Sequence, residues 1–345
     1  MKTASARPER IAVVGLGAVG ARVARHLVAH ESEADVVLVD RDEKVTRDIH
    51  RILGDDIDVR VGSKVPDEAT VVVLATPAGT HRRLAEDSLR QGAHVVSVAD
   101  GLADLHTLLA LDPFARQHQR SVAVGAGFAP GLSCVLAQLG ARTFDRVFEI
   151  HVAKFGTGGP ACARERHRSL RSEAVDWREG WVSRRGGSGR ELLWFPEPID
   201  GHDCYRGALA DPVLLQPVFD EVNIITSRVA ASRRDRLTMR LPMLRKPHPE
   251  GREGAIRVEI RGQRGRANDV DVYGAVERPA VGAAAVAATI ALRIEHSAHR
   301  PDGVAGLAQW ADAKAIAQEI CSHGVRLVRF KGNASYRAPR SVPAQ

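Results

Sequence analysis

Residues 10–30 read RIAVVGLGAVGARVARHLVAH. An apolar run, a glycine turn and a segment with apolar residues at helical spacing (Val19, Val23, Leu27, Val28) follow one another without a gap. The glycines Gly15, Gly17 and Gly20 stand in the order GxGxxG. In such a unit the first glycine makes the tight turn, the second lets a pyrophosphate approach the backbone, and the third lets the helix pack closely on the strand. The helix start then presents free N–H groups and a positive dipole end to phosphate. The next strand, DVVLVD, ends at Asp40, where an acid accepts hydrogen bonds from an adenosine ribose. The expected dinucleotide cradle is therefore Gly15, Leu16, Gly17, Ala18, Val19 and Gly20 with Asp40 and Arg41. Asp40 repels a 2′-phosphate and Arg41 is placed to accept one, so both NAD and NADP stay open, with NAD favoured.

The alternation continues. IDVRVG, TVVVLATPAGTH, AHVVSVAD and SVAVGAG read as strands, and RRLAEDSLRQG and LADLHTLLALDPFARQHQ as helices. This predicts an α/β fold beginning with a Rossmann doubly wound parallel sheet in the order 3-2-1-4-5-6. Ligands lie beyond the carboxyl ends of such strands. Ala75, Thr76, Pro77 and His81 are thus expected near the nicotinamide, with Asp100 and Phe128 closing the same mouth. His81 reads equally well as a helix-start histidine packed on a loop, and Asp100 as the cap of a helix starting at Leu102.

The chain of 345 residues suits two domains, and 44% hydrophobic residues supply a core. Aromatics are 4%, and the excess of Lys+Arg over Asp+Glu, 49 − 42 = 7, is scattered arginine. That favours small anionic ligands over nucleic acid. Cys134, Cys162, Cys204 and Cys321 form no CxxC pair, and no apolar run is long enough to span a membrane, so no metal site, no membrane association and a cytoplasmic location are expected. The expected boundaries are 1–127 for the dinucleotide domain and 128–278 for a substrate or dimerisation domain. Residues 279–330 are read as helices and a strand returning to the first domain, and 331–345 as a flexible tail.

The middle of the chain reads mostly as strands, including DRVFEIHVAK, GWVSRR, RELLWFP, DEVNIITSRVA, RLTMRLP and the hairpin AIRVEIRGQRGRANDVDVYGAV. A second, mixed or antiparallel sheet follows, whose apolar side suggests a homodimer. Within it, residues 155–168, FGTGGPACARERHR, offer a glycine loop free to close over a substrate and a helix start. Arg164 and Arg168 share a helical face with His167 beside them. Two guanidiniums suit a carboxylate and an imidazole trades protons near neutrality, although a solvated basic face with Glu165 as ion partner explains the same run. Asp100, Lys154 and His167 are the candidate proton carriers, with Phe128, Arg164 and Arg168 facing a carboxylate-bearing small-molecule substrate. Lys154 also reads as an ordinary exposed strand-end lysine. His202, Asp203, Cys204 and Tyr205 lie together but lack a further metal ligand, and Cys134 reads as core.

The segments VVGLGAVG, GAHVVSVAD and above all GAGFAPGLSCVLA resemble the saccharopine dehydrogenase-like reductases, which include lysine 6-dehydrogenase-type amino-acid dehydrogenases. The resemblance implies a Rossmann domain, an inserted mixed-sheet domain, NAD(P) and hydride transfer at a carbon bearing nitrogen. A second resemblance, of LATPAGTHRRLAEDSLRQGAHV to the glucose–fructose oxidoreductase-like family, implies a sugar or hydroxy-compound dehydrogenase. That family follows with Glu-Lys-Pro, whose lysine serves in catalysis; here the residues are SVAD. A third alternative is an NAD(P)-binding sensor without turnover, because a fold does not fix a function.

Overall fold

The computed structural model describes residues 10–331 except 30–34, 55, 244–245, 296–299 and 311. The stretch expected to be a tail lies outside these apart from Lys331. The first half holds the predicted strands and helices with one further helix, α2, between the second and third strands: β1 (Arg10–Val14), α1 (Gly20–Ala29), β2 (Asp35–Asp40), α2 (Glu43–Leu53), β3 (Asp58–Val61), β4 (Val71–Leu74), α3 (His81–Arg90) and β5 (His94–Ser97). The segment read as one helix is two, α4 (Leu102–Leu109) and α5 (Asp112–Gln117), because Pro113 starts a new helix and cannot continue the old one. β6 (Ser121–Val124) completes the set.

The second half comprises α6 (Leu132–Ala141), β7 (Arg146–Phe155), α7 (Pro160–Arg171), β8 (Glu173–Arg178), β9 (Trp181–Arg185), β10 (Glu191–Trp194), β11 (Gly201–Tyr205), α8 (Asp211–Leu215) and β12 (Ile224–Ala230). These lead to α9 (Arg233–Thr238), β13 (Gly254–Arg264), β14 (Ala267–Glu277), α10 (Pro279–Glu295), β15 (Gly303–Gly306), α11 (Ala313–Ser322) and β16 (Arg326–Lys331). RLTMRLP is not a strand: Ser232 and Asp235 form a reciprocal capping box that starts α9 through its first residues.

The first sheet is parallel, in the order β15-β6-β5-β4-β1-β2-β3. The expected six-strand order is present with a seventh strand added. That strand, β15, comes from GVAG, which reads as the start of a helix; its pairing with Ser121–Val124 lies nearly two hundred residues back and outweighs the local pattern. α10 returns to this domain, lying on α1, β4 and β5. Its alanines are buried along almost its whole length, and small side chains permit that close approach. β16 does not return: it pairs with β14 at the edge of the second sheet.

The second sheet runs β10-β11-β12-β7-β13-β14-β16, mixed and mostly antiparallel, with β8 and β9 attached to β12. β13 and β14 form the predicted hairpin around Gly265, whose φ is +62°. Alternate residues of β7 and β13 (Ile150, Val152, Ile256, Val258, Ile260) join the main core under α6. On the other face, Ala153 and Ala255 are covered by Leu193 and Phe195 from β10 and the turn after it. The apolar side that suggested a dimer is thus covered by the same chain.

Glu259 on β13 is 2% exposed, between Arg257 and Arg261. Burial raises its pKa, but the two arginines outweigh burial and hold the carboxyl down at about 2. A carboxyl depressed by folding stabilises above its unfolded pKa and loses that contribution as pH falls through the folded value. Glu259→Gln is expected to cost on the order of 3 kcal/mol at pH 7 and to flatten the loss of stability between about pH 5 and pH 2. Urea unfolding at pH 7 and pH 3 measures both; equal wild-type and variant midpoints at pH 7 would contradict the assignment.

Candidate active site

The glycine turn sits as its spacing implies. Gly15 has φ +93°, and a Cβ there would lie 2.7 Å from the Ala75 carbonyl oxygen. A Cβ on Gly20 would overlap the Gly15 carbonyl oxygen. Gly17 differs: it is exposed, and nothing of the protein lies within 4 Å of where its Cβ would be. Two glycines are therefore required by the fold, and the third leaves open backbone for a ligand. The Leu16 N–H donates to the Asp40 carboxylate at 2.6 Å, and the Asp42 N–H donates to its other oxygen at 2.9 Å. Asp40 is thereby held against the turn, with lone pairs left for ribose hydroxyls. Arg41 beside it is exposed. These residues fit a dinucleotide: an acid for the ribose, open backbone at Gly17 and the start of α1 for the phosphates.

Two adjoining cavities of about 80 and 60 Å³ continue from this groove. Both are lined by Val19, Val98, Asp100, Gly158 and Cys162. Ala18, Ala75, Thr76 and His81 line the first, Phe128, Lys154 and Arg166 the second. Pro77 is exposed and lines neither; its carbonyl accepts from Thr80. His81 is 1% exposed, with its ring nitrogens on the Thr76 carbonyl at 2.9 Å and the Ser97 hydroxyl at 2.9 Å. Burial lowers its pKa, so it stands as a neutral tie between the β4 and β5 ends, the packed alternative foreseen for it. Asp104, which the sequence reading passed over, accepts the Gly79 N–H with both oxygens, at 2.9 and 3.0 Å, and fixes the same loop.

Lys154 is not an exposed strand-end lysine. Its side chain is 12% exposed, and Nζ lies 3.4 Å from Asp100 and donates to the Ala129 carbonyl at 3.1 Å. Asp100 does not cap α4; the cap position is Gly101, without a side-chain hydrogen bond. The carboxylate three residues beyond β5 and the ammonium near the end of β7 thus meet across the two domains.

Helix α7 turns opposite to expectation. Arg164 and Arg168 are exposed, Arg168 pairs with Glu165, and His167 Nε2 meets the Leu241 carbonyl at 2.8 Å. The solvated-face alternative holds for these three. The inward residues are Cys162, Glu165, Arg166 and Ser169, which also share one helical face, so spacing alone could not choose between the two. Arg166 holds the Ala230 carbonyl at 2.7 Å and Asp235 at 3.0 Å while lining the cavity. Burial, then the Asp100 charge, push the Cys162 thiol up to about 12, so it stays protonated and is no nucleophile. The same two causes raise Glu165.

The loop at 156–159 is not a free flap. A Cβ on Gly159 would lie 2.9 Å from that of Ala18, and one on Gly158 3.0 Å from the Ala280 nitrogen. Its glycines let it wedge between the dinucleotide turn and α10, which walls the cavities. Away from the site, Cys204 and Tyr205 are buried in small apolar clusters, Cys134 is core, and His202 packs on Phe155. Among the described residues no group of three metal-ligating side chains occurs, and no helix is long and apolar enough to cross a membrane.

A Rossmann sheet joined to a mixed sheet, with a cleft at the strand ends between them, is a dinucleotide-binding architecture. Residues 10–101 match the family model described as NADP oxidoreductase coenzyme F420-dependent, a match confined to the first sheet and its helices. No curated protein matches the chain. Among solved structures it is similar to apo saccharopine dehydrogenase (L-Glu forming) from Saccharomyces cerevisiae, at 12% identity and TM-score 0.69, over 94% of this chain and 99% of that one. Weaker likenesses are to GenD2 from gentamicin A biosynthesis in complex with NAD (17% identity, TM-score 0.46, 95% and 98% covered) and to the WlbA dehydrogenase from Bordetella pertussis in complex with NADH and UDP-GlcNAcA (13%, 0.39, 78% and 78%). At these identities the likeness concerns the fold, which agrees with the architecture expected from the sequence.

Proposed function

We propose that the protein is an NAD(P)-dependent oxidoreductase acting at an imine or amine carbon of an amino acid-like substrate. The observation that carries this reading is the Lys154–Asp100 pair, largely buried where the nicotinamide groove meets the second domain. The bound dinucleotide supplies or accepts the hydride. Lys154 moves the proton at the substrate nitrogen, and Asp100 with the Ala129 carbonyl aims it. Arg166, rather than Arg164 and Arg168, takes the substrate carboxylate, since its guanidinium is held in place at the cavity wall. Val19, Val98 and Phe128 keep the reacting carbon in an apolar setting. Asp40 favours NAD over NADP by repelling a 2′-phosphate.

The test is a panel of amino acids, amines, 2-oxo acids with ammonia or amines, and polyols, read at the nicotinamide absorbance band with both cofactors. Turnover with a nitrogen-bearing substrate and none with polyols is expected. Turnover with sugars or polyols alone would move the protein to hydroxy-compound oxidation. NADH binding without turnover on any substrate would make it a sensor.

A further inference from the structure

The second sheet has a polar cavity on the face opposite Lys154. Along β7, Lys154 points with Ile150 and Val152 toward the main core, whereas Glu149 and His151 point the other way. Arg228 on β12 and Arg257, Glu259 and Arg261 on β13 join them around about 320 Å³. That is the size of a small-metabolite pocket.

Charge is unevenly distributed along it. At one end Arg257 and Arg261 meet Glu259, Arg261 meets Glu149 at 3.3 Å, and His151 bridges Glu149 and Thr226 at 2.8 Å each. Two guanidiniums face two carboxylates, and that end is internally neutral. At the other end three guanidiniums share one buried carboxylate: Asp176 lies 4.0 Å from Arg178, 3.5 Å from Arg206 and 3.9 Å from Arg228. Glu191, the remaining acid there, is half exposed and 3.7 Å from Arg228. Arg228 itself is 7% exposed, and its Nε is buried without a hydrogen-bond partner. A buried donor left unpaired costs about 1–3 kcal/mol, more when charged. Burial, outweighing Asp176, also pulls the Arg228 pKa below that of a free arginine. Arg178, Arg228 and Glu191 line the cavity, while Asp176 and Arg206 stand behind its wall; Asp176 Oδ1 is likewise buried without a hydrogen-bond partner, and the cations outnumber the acids at this end by three to two.

We propose that this cavity binds a small organic anion, its phosphate or carboxylate group taken by Arg178 and Arg228 and its remainder lying along Thr226 and His151. The site is separate from the dinucleotide groove and does not rest on the reaction proposed above.

The test titrates the full chain with inorganic phosphate at constant ionic strength, balanced with chloride, in the presence of saturating NADH so that the phosphate-binding turn at Gly17 is not read. Isothermal calorimetry is expected to give saturable binding of one phosphate per chain. Arg228→Gln should weaken it at least tenfold and leave NADH affinity unchanged. Arg178→Gln, at a more exposed position, should do the same and decides the matter if the first variant does not fold. Succinate in the same titration separates a carboxylate ligand from a phosphate one, and saturable binding of either that is lost in the variants supports the site. A wild-type response to both anions that never saturates, or equal affinity in wild type and variants, would overturn it. So would variants that change only the oligomeric size.

Discussion

Lys154→Met is expected to reduce turnover by about 10²–10⁴-fold, the span general acid–base groups contribute. NADH affinity should be unchanged, because Lys154 touches Asp100 and Ala129 and not the glycine turn. Lys154→Arg, which keeps the cation but cannot give up its proton, should not restore turnover, whereas a merely structural ion pair would be restored. Methionine keeps the length and apolar stem of the side chain, so the largely buried position is filled without a cavity. The loss of the ammonium leaves Asp100 without its cation, but that carboxylate is partly exposed and keeps access to water. Turnover within fivefold of wild type, measured by steady-state kinetics on the substrate found in the panel, would remove Lys154 from the chemistry.

The second large effect separates two glycines three residues apart. Gly20→Ala places a methyl group on the Gly15 carbonyl and 3.1 Å from the Ala75 Cβ. Overpacking of this kind costs about 1–3 kcal/mol, and the shift of α1 moves the dinucleotide turn with it. Both thermal stability and NADH affinity should fall. Gly17→Ala meets nothing of the protein within 4 Å and should leave the melting temperature near wild type. Its methyl group stands where the pyrophosphate must approach the backbone, so NADH affinity should fall at least tenfold. Thermal melts and NADH fluorescence titrations of the two variants give the contrast. Wild-type NADH affinity in the Gly17 variant would show that the phosphates lie elsewhere.

The parallel sheet and the dinucleotide turn were legible in the sequence because they rest on local order. Strand, turn, helix and acid lie within thirty-one residues, Arg10 to Asp40, and each position has one chemistry that satisfies it. The hairpin of β13 and β14 was legible for the same reason. What failed locally was decided by partners far along the chain. GVAG became a strand through pairing with β6, and β16 left the first domain to pair with β14.

The proposed catalytic half of the site shows the same division. The sequence by itself determined that Asp100 follows a parallel strand toward the ligand edge, although that strand stops at Ser97, and that Lys154 stands near the end of a strand of the second sheet. Only the tertiary structure brought these two side chains together, across 54 residues, and buried the lysine. The run CARERHR carries polar residues all around its helix, so no periodicity said which face turned inward. Docking against Ala230, Asp235 and Gly101 turned Arg166 and Glu165 to the cleft and left Arg164, His167 and Arg168 outside. A period of 3.6 residues fixes which side chains share a face; which of two polar faces is buried depends on the acceptors the rest of the fold puts opposite it.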